Sequence, residues 1–236
     1  MPVKLSGATT ANLGSIQETP QETLLPPLWG RALETRKPHP LLVDQTAVRI
    51  IDVIDYDFSA IARKINFISQ MAWIACSLHT DRTIRDFLGR HPGATIVNLG
   101  CGLDTTFERV DNGRICWYDL DLPDVIELRE SYIQESRRKS IAASLLDTDW
   151  RQLKGAESIF LVASSVLYYF EEAQVKAFLI GLADAQPCSD ILFDACSPRG
   201  LVVANRRVIK AGGMDDSAML KWGIEQPKDM ESEYPP

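Results

Sequence analysis

Four short groups of residues have types and spacings suited to chemistry. Gly100-Cys101-Gly102 sets two glycines one residue apart directly after the largely apolar run 94–99. Glycine there lets the chain turn tightly and lets a ligand approach the backbone. Asp121 lies 21 positions after Gly100, where an acid closing a second strand accepts hydrogen bonds from ribose hydroxyls. Asp147 sits beside Leu145 and Leu146, a carboxylate next to an apolar surface fit to seat a purine ring. Ser164-Ser165 is the fourth group. Singly, each has an ordinary reading: a plain turn for the glycines, a turn before Pro123 for Asp121, a cap around Thr148–Trp150 for Asp147. Their joint placement implies an adenosine-containing ligand.

The elements that must position these groups follow from periodicity. Apolar residues at three- and four-residue steps predict amphipathic helices over 42–54 and 59–78, and a third after Asp81 that stops before His91-Pro92-Gly93. From Ala94 the pattern changes to short apolar runs at 94–100, 115–121, 140–146, 158–166 and 190–197, read as five strands. Helices are expected between them at 104–109, 123–136 and 171–185, the last opening on Glu171-Glu172. Strands alternating with helices predict an α/β doubly wound, Rossmann-like parallel sheet covered on both faces. In that fold ligands bind outside the carboxyl ends of the strands, and all four groups fall at such ends. The expected organisation is one compact unit, a helical cap or lid region over 1–92 and a cofactor-binding core over 93–236.

The dinucleotide fingerprint G-x-G-x-x-G needs glycine or alanine at 105, where this chain has Thr105. That disfavours a pyrophosphate packed on the helix, and with it a nicotinamide-dependent oxidoreductase. S-adenosylmethionine has no phosphate and needs only a glycine turn, a ribose acid and an adenine contact. Methyl transfer is the leading reading.

At this point the chain resembles the leucine carboxyl methyltransferase family, and particularly its bacterial polyketide O-methyltransferase branch. The resemblance runs through QETLLPPLWGRALETR (21–36), VNLGCGLDTTFERVDNG (97–113), WYDLDLPDVIELR (117–129), AASLLDTDW (142–150), VLYYF (166–170) and LFDACS (192–197). It implies a class I methyltransferase fold, S-adenosylmethionine as methyl donor and a small-molecule methyl acceptor. It further implies that Gly100, with Gly102 in the same turn, lies against the methionine part of the cofactor, that Asp121 holds the ribose, and that Ser144 and Leu145, with Asp147 close by, flank the adenine. Ser164 stands where many relatives have a glutamate. Tyr169 matches a tyrosine expected to face the transferred methyl, with a packed core tyrosine as the alternative.

Two departures from the family pattern matter. An R-A-R-like element before the first strand is expected to hold the cofactor carboxylate, yet Ala75 and Ser77 occupy those places; loss of a bidentate arginine weakens such binding, and Arg63 or Lys64 are the nearest replacements. The fold also ordinarily ends in a two-strand hairpin, which residues after Ser197 do not suggest. The chain is therefore expected to be a truncated form, leaving an exposed edge or a partner-supplied strand, or else a degenerate relative whose fold only binds.

For the chemistry, a carboxylate acceptor is already ionised at neutral pH whereas a phenol needs a base. His39, His79 and His91 read as surface or helix-end residues, so the thin base inventory leans toward carboxyl methylation. Cys101 reads as the small residue a tight turn requires, the run 129–139 as a solvated helix face, and Trp29 with QETLL (21–25) as either lid or packed helix. The composition sets the outer limits. A formal net charge of −7 over 236 residues, with no basic stripe, disfavours nucleic acid as a partner. Five scattered cysteines without a C-x-x-C pair suggest neither a disulfide framework nor a metal site and fit a reducing cytoplasm. The apolar runs are too short to span a bilayer, and the sequence leaves the oligomeric state open.

Overall fold

The computed structural model describes residues 23–64, 67–133, 137–151, 158–210, 218–226, 228 and 230. Four helices precede the first strand: α1 (Leu25–Thr35), α2 (Gln45–Val53), α3 (Ser59–Lys64) and α4 (Phe67–Arg90). Then β1 (Thr95–Leu99), α5 (Thr106–Val110), β2 (Cys116–Asp121), α6 (Pro123–Tyr132), β3 (Arg138–Ala142), β4 (Ile159–Ala163), α7 (Glu172–Ala185), β5 (Ser189–Phe193) and α8 (Pro198–Ala204) follow. The five strands form one parallel sheet in the order β3-β2-β1-β4-β5. This is the expected doubly wound α/β fold, and its order reverses between β1 and β4. Among the described residues no helix is long and apolar enough to cross a membrane.

Alternation along β1 fills both sides of the sheet. Val97 and Leu99 join a core with Leu161, Val175, Phe178 and Trp222, while Ile96 joins Ile84, Phe87, Trp117 and Phe160 on the other face. The period of two in side-chain direction requires this division. A third apolar cluster sits under α1 and α2, with Leu103 and Leu128 from the sheet region packed into it and Trp29 against its flank. Trp29 therefore belongs to helix packing.

Buried charges fasten these first helices to the sheet. Asp44 caps α2 by accepting the N–H of Ala47 at 2.9 Å, and its other oxygen receives Arg31 Nε at 2.9 Å, Arg109 Nη1 at 2.9 Å and the hydroxyl of Thr105. Thr105 is fully buried. Arg109 in turn holds Asp81 through Nε at 2.8 Å and Nη2 at 2.9 Å. That pairing corrects one expectation: Asp81 begins no new helix, and α4 runs straight through it because its carboxylate is engaged sideways by Arg109.

Other boundaries move for equally local reasons. The third strand ends at Ala142 instead of 146, since Asp147 takes the N–H of Ser144 at 2.9 Å and the chain turns there. The fourth ends at Ala163, because Ser165 adopts a left-handed backbone with φ of 62°. The fifth ends at Phe193, just before Asp194 reaches across to Ser165. The run 129–139, expected as a solvated helix face, contains the buried Arg129, paired to Asp119 at 2.8 Å; residues 134–136 lie outside the described set. A solvated reading fails there because α6 presents Arg129 inward to Asp119 and to the carbonyls of Gly102 and Asp104.

Candidate active site

The loop after β1 is fixed atom by atom. Cys101 N–H bonds Leu120 O at 3.1 Å, and Gly102 N–H bonds Asp121 Oδ2 at 2.8 Å. Arg129 Nη1 donates to Gly102 O at 2.9 Å and Asp104 O at 2.6 Å, and Arg31 Nη2 donates to Leu103 O at 3.0 Å. A loop whose polar groups are answered in this way is rigid before any ligand arrives. Gly100 and Gly102 both have positive φ, 61° and 45°. A Cβ on Gly100 would come within 2.4 Å of Val166 Cγ2, which leaves glycine as the residue that fits. Cys101 is buried, and burial pushes its thiol well above the usual range, as a spacer residue allows.

A cavity of about 540 Å³ opens at the strand ends, within the size range of small-molecule sites. At one end lie Asp121, Leu122, Asp124 and Val125; the glycine loop forms the middle; Tyr168, Tyr169, Cys76, Cys196 and Leu220 surround the other end. Residues of α1 and α4, including Pro26, Arg31, Trp73 and Ser77, roof it.

The structure brings Gly100, Gly102, Asp121, Ser164 and Tyr169 to this one cavity. Ser144, Leu145 and Asp147 do not line it. Leu145 is 5% exposed in the main core, and Asp147 is engaged with Ser144. The apolar surface beside Asp121 comes from Leu122 and Val125 instead. Of the two positions expected to carry arginine, Ser77 lines the cavity and Ala75 does not; Arg63 does not either. Arg31 was missed by sequence reasoning, yet it is the one lysine or arginine among the described lining residues. Its Nη1 takes no part in the bonds to Asp44 and Leu103. No histidine lines the cavity among the described residues, and His91 instead contacts Ser158 at 2.9 Å.

Burial sets the protonation here. It raises Asp121 above the ordinary carboxylate range, with the N–H groups of Gly102 and Leu122 pulling the other way. Asp104 goes down: burial would raise it, but Arg109, Arg31 and Arg129, with the Thr106 N–H, outweigh that. Tyr168 and Tyr169 are both raised by burial, so each keeps its phenolic proton at neutral pH.

A family model described as leucine carboxyl methyltransferase matches residues 26–183. The chain belongs to that family. The family's methyl donor is S-adenosylmethionine, and this member is a methyltransferase of that type. The residues present suit such a donor: glycines where a Cβ would intrude, a carboxylate beside an apolar surface, and the Arg31 cation in the cavity. This chain is 35% identical over 218 residues to the tetracenomycin polyketide synthesis O-methyltransferase TcmP of Streptomyces glaucescens, covering 91% of this chain and 78% of that protein. It is also 35% identical over 140 residues to the S-adenosyl-L-methionine-dependent methyltransferase dpfgK of Gibberella zeae, covering 55% of this chain and 46% of that protein. Among solved structures, magnesium protoporphyrin IX methyltransferase from Synechocystis PCC 6803 with bound SAH is 14% identical with a TM-score of 0.45, over 80% of this chain and 87% of that chain.

Proposed function

We propose that this family member is an O-methyltransferase that moves the methyl group of S-adenosylmethionine to a small carboxylic or phenolic metabolite, of polyketide-like character. The observation that carries the reading is the single cavity that joins the glycine loop and Asp121 to the tyrosine-lined end. When bound, S-adenosylmethionine supplies an electrophilic methyl on a sulfonium. The chain's part is to bind, align and exclude water.

In this reading Asp121 accepts the ribose hydroxyls, and Leu122 and Val125 take the adenine face. The Gly100–Gly102 backbone lies along the methionine portion, and Arg31 Nη1 receives its carboxylate in place of the arginine that Ser77 lacks. Ser144, Leu145 and Asp147 support the floor beneath the adenine without touching it. Tyr169, still protonated, donates a hydrogen bond near the acceptor. The helices before β1 act as the cap. The similarity to a polyketide-pathway enzyme supports the acceptor class.

Incubation with methyl-labelled S-adenosylmethionine and a panel of aromatic acids and phenols tests the proposal. Label in a base-labile ester identifies a carboxylate acceptor, and label in a base-stable ether a phenol. Failure of the folded chain to bind S-adenosylmethionine or S-adenosylhomocysteine would overturn it. Ala75, Ser77 and Ser164 favour the second reading, an inactive binding protein, and that reading expects cofactor binding without label transfer.

A further inference from the structure

The turn after β4 has a feature the cofactor chemistry does not require. Ser165 is the one non-glycine residue with positive φ among the described residues, at 62°. L-residues with a side chain adopt that conformation only where the surroundings over-determine it. Tyr168 hydrogen-bonds the Ser165 side chain, and the Ser165 backbone is engaged by Asp194, just past the end of the neighbouring strand β5. Its Oδ1 accepts the Ser165 N–H at 2.6 Å, and its Oδ2 accepts the Ser165 hydroxyl at 3.3 Å.

The turn so held forms a wall of the cavity. Ser164, Ser165 and Val166 all line it, and Val166 packs so closely on Gly100 that the glycine has no room for a Cβ. The two strands on either side of the topological switch, β1 and β4, therefore meet through Gly100 and Val166. The position of Val166 follows from the backbone of the residue before it. If Ser165 relaxed to negative φ, Val166 would leave its place over Gly100 and the cavity would lose that wall.

We infer that Asp194 is a positioning residue for cofactor binding: its two hydrogen bonds hold Ser165 left-handed and so set Val166 against the Gly100 loop. This rests on the proposed function, because it supposes that the cavity takes S-adenosylmethionine. Asp194 touches no reacting atom in this role. Burial raises its pKa above the usual carboxylate range against the pull of the Ser165 N–H and hydroxyl, and the role needs only its acceptor geometry.

The test is calorimetric titration of the full chain and its variants with S-adenosylhomocysteine, each first checked for folding by circular dichroism. Asp194→Ala is expected to weaken binding about tenfold, the order of one strained residue's conformational penalty. Adding Ser165→Gly to Asp194→Ala is expected to restore most of that loss, because glycine adopts positive φ unaided. Asp194→Asn, which can still accept the N–H and can donate to the hydroxyl oxygen, is expected to stay within about threefold of the parent. Unchanged binding in Asp194→Ala, or no recovery in the double variant, overturns the inference while leaving the proposed function standing. If Asp194→Ala does not fold, Asp194→Asn decides: a tenfold loss there assigns the effect to charge and overturns positioning. A parent chain that binds no S-adenosylhomocysteine overturns both readings.

Discussion

The carboxylate of Asp121 accepts the backbone N–H of Gly102 across 2.8 Å, so the end of β2 and the loop after β1 move as one piece. Its other oxygen accepts the N–H of Leu122 at 2.8 Å, and each oxygen keeps a further lone pair for a ligand hydroxyl. Asp121→Ala is expected to weaken S-adenosylhomocysteine binding at least about tenfold, through both the lost acceptor and the loosened loop. Unchanged affinity in titration would remove the ribose assignment.

Asp121 also sets a pH dependence. Burial raises its pKa, and only the ionised form offers all its lone pairs to hydroxyl donors. Affinity should therefore hold at neutral pH and fall as pH drops through a midpoint above the ordinary aspartate value of about 3.9. Titrations of cofactor affinity against pH, repeated with Asp121→Asn, check this; the variant should show a flat profile over that window.

The two loop glycines should differ in tolerance. Gly100→Ala adds about 1–2 kcal/mol of left-handed strain and drives a methyl into Val166, a clash worth about 1–3 kcal/mol more. Gly102→Ala carries left-handed strain too, but its methyl meets the end of the Leu24 side chain, at 2.7 Å, which can swing aside. Thermal denaturation and titration together should rank Gly100→Ala as the more damaging.

Arg31 has two structural bonds, to Asp44 and Leu103 O, and an assigned ligand bond, and two ligands separate these roles. S-adenosylhomocysteine carries the amino-acid carboxylate and methylthioadenosine does not. Arg31→Met should lower affinity for the first by at least about tenfold more than for the second, as loss of a charge-assisted pair requires. Equal losses would mean that Arg31 serves only to dock α1.

The buried ion cluster yields a stability prediction. Arg109→Met leaves Asp44 and Asp81, both nearly inaccessible, short of a partner and should destabilise by about 3–5 kcal/mol. Asp104 behaves oppositely to Asp121, since its folded pKa lies below the unfolded value. The folded state thus binds fewer protons, and the stability from Asp104 is present above about pH 4 and lost as pH falls through the depressed folded value. Asp104→Asn should flatten the acid limb of a denaturation profile.

Strand and helix order was legible in the sequence, because burial of a sheet on two faces forces short apolar runs between amphipathic helices. The glycine turn and Asp121 were legible for a similar reason: both are chain-local requirements, a backbone without Cβ and an acid at a strand end. Thr105 disfavoured a dinucleotide by type alone. Arg31, Asp194 and the partnership of Gly100 with Val166 were not legible, since they depend on residues 72, 29 and 66 positions apart in the chain, respectively, being brought together. Ser144 and Leu145 were placed on a strand by their apolar neighbours, whereas a side-chain cap from Asp147 ended that strand early. Local sequence thus determined which elements form and which chemistry the strand ends can hold. Only the tertiary structure decided which side chains share the cavity, because that depends on how α1, α4 and the turn after β4 pack over β1, and packing is set by contacts no periodicity records.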